Sequence, residues 1–346
     1  MREITLQEAE TTILTADRAI LEPFRDIIEP LDSRERDVMP YVLNTFMNIF
    51  KFTNPHDFVH DAFGHKDRIE RDIEYFEPKL SDSASVVDLG CGWGGLTKAL
   101  TRRSDKLKLH AVDRIIQHVI VTKYLCPDAS VFQSDAKELS LFNDGAFDVT
   151  VTRGVIEHVG DPSVPTGSSG ANIKHQFAFI REASRITRIG GFICMSTGNY
   201  LHPWDGEVGR WFFHWLPPRS KEAYKVKRDF STDRYWLLTW DELTFILKTC
   251  GLEVERASTF DTFARTFDLL SNVFDGLDSD MAAEWKRLCS EDPRFMSNWW
   301  IIAAKRSEPT APSMTLSNRC YCARAAGSCP GEMRGFFARV KWLLGG

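Results

Sequence analysis

The stretch SVVDLGCGWGGLTKAL, from Ser85 to Leu100, constrains the fold more than any other part of the chain. Within Ser85 to Leu89, Val86, Val87 and Leu89 are apolar, and the stretch reads as a buried strand. Gly90, Gly92, Gly94 and Gly95 then interrupt it, and a helical pattern begins at Leu96. A strand that turns through glycines into a helix offers backbone N–H groups and the positive helix end to a ligand. Two fingerprints overlap here. Gly90, Gly92 and Gly95 satisfy G-x-G-x-x-G, the spacing of dinucleotide enzymes, whereas Asp88, Gly90, Gly92 and Gly94 satisfy D-x-G-x-G-x-G. The first reading moves a hydride and the second a methyl group.

Downstream of this loop, short β runs alternate with helices. Strands are predicted over 85–89, 107–113, 130–133, 147–152 and 191–196, with QFAFIREASRIT (176–187) as one intervening helix. A helix over Thr239 to Cys250, stopped by Gly251, precedes two last strands in LEVERAST and NWWIIAAK. Strands alternating with helices predict a Rossmann-like α/β fold, a mostly parallel sheet of seven strands covered on both faces. Ligands then bind at the carboxyl ends of the strands. Residues 1–80 read as an N-terminal helical cap, opened by the Thr5/Glu8 capping-box spacing. The cofactor-binding core spans 81–306, with a lid over about 197–232, and 307–346 reads as a linker and poorly ordered tail.

Bulk properties exclude several classes. A chain of 346 residues with 43% apolar and 26% charged residues is an ordinary globular composition. The formal net charge of −5 argues against a nucleic-acid binder. The charged start MREITLQEAE has no apolar leader core, and no apolar run reaches membrane-span length. Five of the eight cysteines are scattered singly, as reduced thiols of a cytoplasmic protein are.

Residues beyond the loop separate the two fingerprints. A carboxylate at Asp88 suits the ammonium end of S-adenosylmethionine and would repel a pyrophosphate. Asp113, after the second strand, is placed for ribose hydroxyls, and Asp135 comes after the third strand, where an adenine amino group would lie. With Asp135-Ala136, Glu157-His158 after the fourth strand and Arg188-Ile189-Gly190-Gly191 before the fifth, the chain resembles the class I S-adenosylmethionine-dependent methyltransferases that modify small molecules, including those of quinone biosynthesis. The family's usual proline before the paired glycines is replaced by Ile189. The resemblance is close over about residues 80–200, looser to Arg306, and does not extend to the termini.

The resemblance implies that S-adenosylmethionine is the cofactor. Asp88, Gly90, Gly92 and Gly94 would hold its methionine portion, Asp113 the ribose, Asp135 and Ala136 the adenine, and Arg153 would face its reactive end. For the acceptor side, His158, His202, Asp205 and His214 are the candidate bases or orienting groups. His158 has an alternative reading as loop support. The other three lie in STGNYLHPWDGEVGRWFFHWLPP, an aromatic segment at the carboxyl edge of the fifth strand. It reads either as a lid over a substrate pocket or as an aromatic plug. The expected reaction is transfer of a methyl group to an oxygen of a small-molecule acceptor. An NAD-dependent oxidoreductase and a non-catalytic S-adenosylmethionine-binding protein are the alternatives.

Four features lie outside this scheme. The basic run RSKEAYKVKR (219–228) suits an anionic acceptor or a solvated face. His56 and His60 in HDFVHDAFGH share a helical face without a recognised third ligand, so no metal is expected. Cys320, Cys322 and Cys329 form an incomplete zinc pattern. The last residues, MRGFFARVKWLLGG, have an amphipathic face that suits peripheral membrane contact near a lipid-linked acceptor, docking of a partner, or an unstructured tail.

Overall fold

A computed structural model describes residues 1–24, 28–29, 31–50, 66–161, 163, 172–200, 202, 204–205, 210–211, 235–259, 291, 293, 296 and 298–309. The chain divides into two compact units, Met1–Pro309 and Thr310–Gly346. The described residues all belong to the first.

Ten strands occur among these residues: β1 (Arg2–Glu3), β2 (Ser85–Leu89), β3 (Lys108–Asp113), β4 (Ser130–Gln133), β5 (Phe147–Arg153), β6 (Thr187–Gly198), β7 (Trp204–Asp205), β8 (Arg210–Trp211), β9 (Leu252–Ser258) and β10 (Asn298–Lys305). The main sheet runs β1-β4-β3-β2-β5-β6-β10-β9. Its centre, β4 to β6, is parallel throughout. β10 enters antiparallel to both β6 and β9. Order reverses beside β2, so the carboxyl ends of β2 and β5 flank the crevice where doubly wound sheets take ligands. The sheet has eight strands rather than the seven expected. The addition is β1, which pairs antiparallel to the edge strand β4 within a segment expected to be helical.

The helices are α1 (Leu6–Leu14), α2 (Ser33–Thr45), α3 (Lys66–Phe76), α4 (Gly95–Arg103), α5 (Ile116–Leu125), α6 (Ile173–Ile186) and α7 (Trp240–Thr249). Strand alternation assigns them to two faces. Val86, Ala111, Val131, Val149, Val151, Cys194, Trp300 and Ile302 share one core with buried residues of α1 to α5. Val87, Val112, Ile193, Met195 and Ile301 alternate with them, are equally buried, and point to the opposite face. There Ser184 of α6 donates to the carbonyl of Cys250 at the end of α7.

Helix ends follow local chemistry. Thr5 caps α1 by accepting from the Glu8 N–H. Asp32 and Glu35 form a full capping box on α2, as Thr239 and Glu242 do on α7. Gly251, with φ +75°, ends α7, where a Cβ would strike the Ser307 backbone. The N-terminal helices are bonded to the layer behind them. Lys98 of α4 reaches Asp32 at 2.5 Å and Glu35 at 3.0 Å, and Arg34 donates to the Tyr124 carbonyl of α5 at 2.8 Å.

Candidate active site

The loop after β2 is built as its glycines require. Gly90, Gly92 and Gly94 have φ of +77°, +52° and +80°, a region costly for residues with a Cβ. Gly90 and Gly94 have a second constraint. A Cβ on Gly90 would run into Val155, and one on Gly94 would lie 2.8 Å from the Thr122 hydroxyl. Gly92 differs, since a Cβ there would meet nothing within 4 Å. Protein packing leaves the space over its Cα open, as close approach of a ligand to backbone requires. The loop is pinned to β3 by the N–H groups of Gly90 and Cys91, which both donate to the Val112 carbonyl.

Register places three of the candidate residues on one face. Asp88 pairs with Ala111 and Val151, so Asp88, Asp113 and Arg153 follow the alternation of the α1–α5 side at the carboxyl edge. Asp88 is buried, and its carboxylate accepts from the Thr97 hydroxyl in the first turn of α4 at 2.7 Å. The contact ties strand end to helix start. Burial pushes the Asp88 carboxyl up to about 6, against the opposing effects of the Thr97 hydrogen bond and the Arg153 charge.

Asp113 accepts from the N–H groups of Gly92 (3.0 Å) and Ile115 (2.9 Å), and His118 Nδ1 lies 3.3 Å away. Burial acts to raise its pKa, but the His118 contact and the two N–H donors outweigh it and hold the carboxyl below its ordinary value. It is therefore an anion built into the loop. Trp93 packs edge-on against His118, with ring centroids 4.5 Å apart, and lies 5.0 Å from Phe46. Asp135 is exposed beyond β4, where its side chain accepts from the Lys137 N–H; Ala136 lies beside it, half-buried.

Arg153 ends β5 and is held from the N-terminal side of the fold. Its Nε lies 2.6 Å from Oδ2 of Asp72, a fully buried residue of α3. At this distance the two groups form a close ion pair. The residue expected to face the ligand thus also has a protein partner. Burial pushes Asp72 up to about 6, opposed by the charges of Arg153, Arg68 and Arg71.

The acceptor-side candidates among the described residues lie on different segments. Glu157-His158 lies in a single 3-10 turn, Ile156–His158, just after β5. The buried Glu157 supports this turn through its carbonyl, which accepts from the Trp236 N–H at 2.7 Å. His158 is half-buried there. His202 is 1% exposed, four residues past the end of β6, and its N–H donates to the Asn199 carbonyl. Asn199 in turn donates to the Met296 carbonyl at 2.7 Å. Asp205 lies in the two-stranded ribbon of β7 and β8, paired with Arg210. His214, the basic run 219–228, His56 and His60, and the cysteines of the tail lie outside the described residues. Among the described residues no group of side chains is arranged to hold a metal ion.

Sequence reasoning missed Asp72, Thr97 and His118. Asp72 carried a signal: Ile69, Ile73 and Phe76 form the buried stripe of α3, and Asp72 interrupts that stripe with a charge. Thr97 and His118 carried none.

The order of the strands and the loop they support define the Rossmann-like class of cofactor-binding enzymes. A family profile for a methyltransferase domain matches residues 58–257, and the chain belongs to that family. It is an S-adenosylmethionine-dependent methyltransferase. A search of curated proteins returned no match. Among solved structures, a SAM-dependent methyltransferase from Methanosarcina mazei is 16% identical, with 68% of this chain and 98% of that chain covered and a TM-score of 0.43. A geranyl diphosphate C-methyltransferase from Streptomyces coelicolor A3(2) is 15% identical, with coverages of 69% and 76% and a TM-score of 0.43. A methyltransferase of Bacillus halodurans C-125 is 18% identical, with coverages of 69% and 99% and a TM-score of 0.42. These likenesses add nothing to the family assignment.

Proposed function

We propose that the chain methylates an oxygen atom of a small-molecule acceptor. When bound, S-adenosylmethionine supplies a methyl group already activated on a sulfonium. The protein then has to bind, align and exclude water. In this reading the open Cα of Gly92 admits the cofactor's backbone-facing edge, Asp113 accepts from ribose hydroxyls, and Asp135 and Ala136 border the adenine. Asp88 fixes the loop through Thr97 and adds negative charge near the ammonium group. Arg153, expected at the reactive end, is reassigned to the cofactor's carboxylate, because a guanidinium would repel the sulfonium.

The observation that carries the oxygen acceptor is the burial of His202 just beyond the carboxyl edge of β6. A histidine held there can remove the proton of an acceptor hydroxyl as the methyl group arrives. Asp205 and His214 would border the same pocket from a lid over about residues 197–232, and His158 would orient the acceptor from the β5 side. The basic run 219–228 favours an acceptor bearing a carboxylate or phosphate, including a lipid-linked one. The domain limits proposed for this activity are 1–80 as a covering segment, 81–306 as the catalytic body and 307–346 as a tail with an amphipathic end. No described helix is long and apolar enough to cross a membrane.

The test is a panel of phenols, alcohols, carboxylic acids and amines, assayed for S-adenosylhomocysteine release. Turnover with a hydroxylated acceptor, reduced by about 100-fold or more in His202→Asn, is the expected result. Turnover confined to amines, or unaffected by the substitution, overturns the oxygen assignment.

A further inference from the structure

Asp72 is a fully buried charged side chain of the N-terminal helices, and nothing in the loop chemistry accounts for it. It lies on α3, in a stripe of core residues formed by Ile69, Ile73 and Phe76. An aliphatic residue would fill that position without desolvating a charge. Its carboxylate meets the Arg153 guanidinium through Nε at 2.6 Å. Arg153 has Asp88 as its other near carboxylate, one strand away on the same face. The three side chains thus form an alternation of buried acid, partly exposed guanidinium and buried acid across the carboxyl ends of β2 and β5.

A guanidinium has five N–H donors in a planar fork. The ionic approach of Asp72 to Nε leaves the two terminal nitrogens at the outer end of the fork, which is the geometry for bidentate capture of a carboxylate. Side-chain exposure supports this direction: Arg153 retains 21% while Asp72 retains none. Asp72 therefore restrains the guanidinium from the helical side while the fork remains partly open.

We propose that Asp72 is a positioning residue, and that α3 thereby completes the subsite for the α-carboxylate of the cofactor's amino-acid portion. The inference rests on the reading of Arg153 as a cofactor residue. With Asp72 in place, Arg153 is held in one rotamer before the ligand arrives, so less side-chain entropy is lost on binding. The N-terminal segment is then part of the cofactor site rather than only its cover.

The test is calorimetric titration with S-adenosylhomocysteine and with 5′-methylthioadenosine, which shares the nucleoside but lacks the amino acid. Wild-type protein, Asp72→Asn, Asp72→Glu and Arg153→Met are compared. The ratio of the two affinities isolates the amino-acid subsite from general damage to the fold, which lowers both together. The expected result is a ratio reduced by about tenfold in Arg153→Met and in Asp72→Asn, with methylthioadenosine affinity unchanged within about threefold. Asp72→Glu keeps the buried charge but moves the carboxylate, and it reduces the ratio as well. If Asp72→Asn fails to fold, the glutamate variant decides alone. A ratio lost in Arg153→Met but kept in the Asp72 variants overturns the positioning role and leaves the Arg153 reading intact. A ratio kept in Arg153→Met overturns both.

Discussion

Asp88 and Asp72 each remain buried beside Arg153, and burial pushes each up to about 6. An unfolded aspartate ionises near 3.8, so between about pH 4 and 6 the folded chain binds more protons than the unfolded one. The resulting stabilisation is complete below the unfolded pKa and is lost as pH rises through the folded one. Asp88→Asn carries no charge to desolvate, and its amide oxygen can still accept from Thr97. The ligand-free variant should therefore gain on the order of 2 kcal/mol over wild type at pH 7.5, and much less at pH 4, in urea denaturation. It should also bind S-adenosylmethionine more weakly. A variant less stable than wild type at pH 7.5 would show that the Asp88 charge supports the fold. The glycines separate in the same way. Gly90→Ala meets both a positive φ and Val155 and should cost about 2 kcal/mol or more. Gly92→Ala meets only the positive φ, so it should cost about 1 kcal/mol while reducing cofactor affinity disproportionately. Thermal melting with and without S-adenosylhomocysteine distinguishes the two.

At the scale of elements, equal caps do unequal work. Thr239 satisfies the start of α7 and bonds Glu242 within the same box. Its replacement by alanine should cost about 1 kcal/mol. Asp32 caps α2 and also receives Lys98 and Arg102 of α4, so it joins a helix of the N-terminal segment to the helix of the glycine loop. Asp32 is partly exposed and its ion pairs are screened. Asp32→Ala should nonetheless exceed Thr239→Ala by about 0.5 to 1 kcal/mol, because Lys98 is left largely buried with only Glu35. Equal losses in chemical denaturation would mean that these ion pairs contribute nothing beyond the cap.

For the whole molecule, the apolar side chains of α1 to α3 and one face of the sheet form a single core. A chain starting at residue 81 should consequently be insoluble, since it exposes Val86, Val149, Trp300 and their neighbours. A chain ending at Pro309 retains the complete first unit and should melt cooperatively. Soluble, folded 81–346 protein would show that the N-terminal helices are a dispensable cover. The sequence by itself determined the β2 loop, the limits of β2, β4 and β10, and the stop of α7, because each rests on local patterns: alternation, glycine at positive φ, and capping spacing. It also carried the family through the order of its motifs. Other features depended on which surfaces met. Strand β1 has no period to detect in two residues. The Thr97–Asp88 bond joins side chains that only the turn brings together. The Asp72–Arg153 pair lies between residues far apart in the chain, and only packing of α3 against the sheet makes them neighbours. A charge in an apolar stripe is legible as an anomaly, but its partner is set by tertiary contact alone.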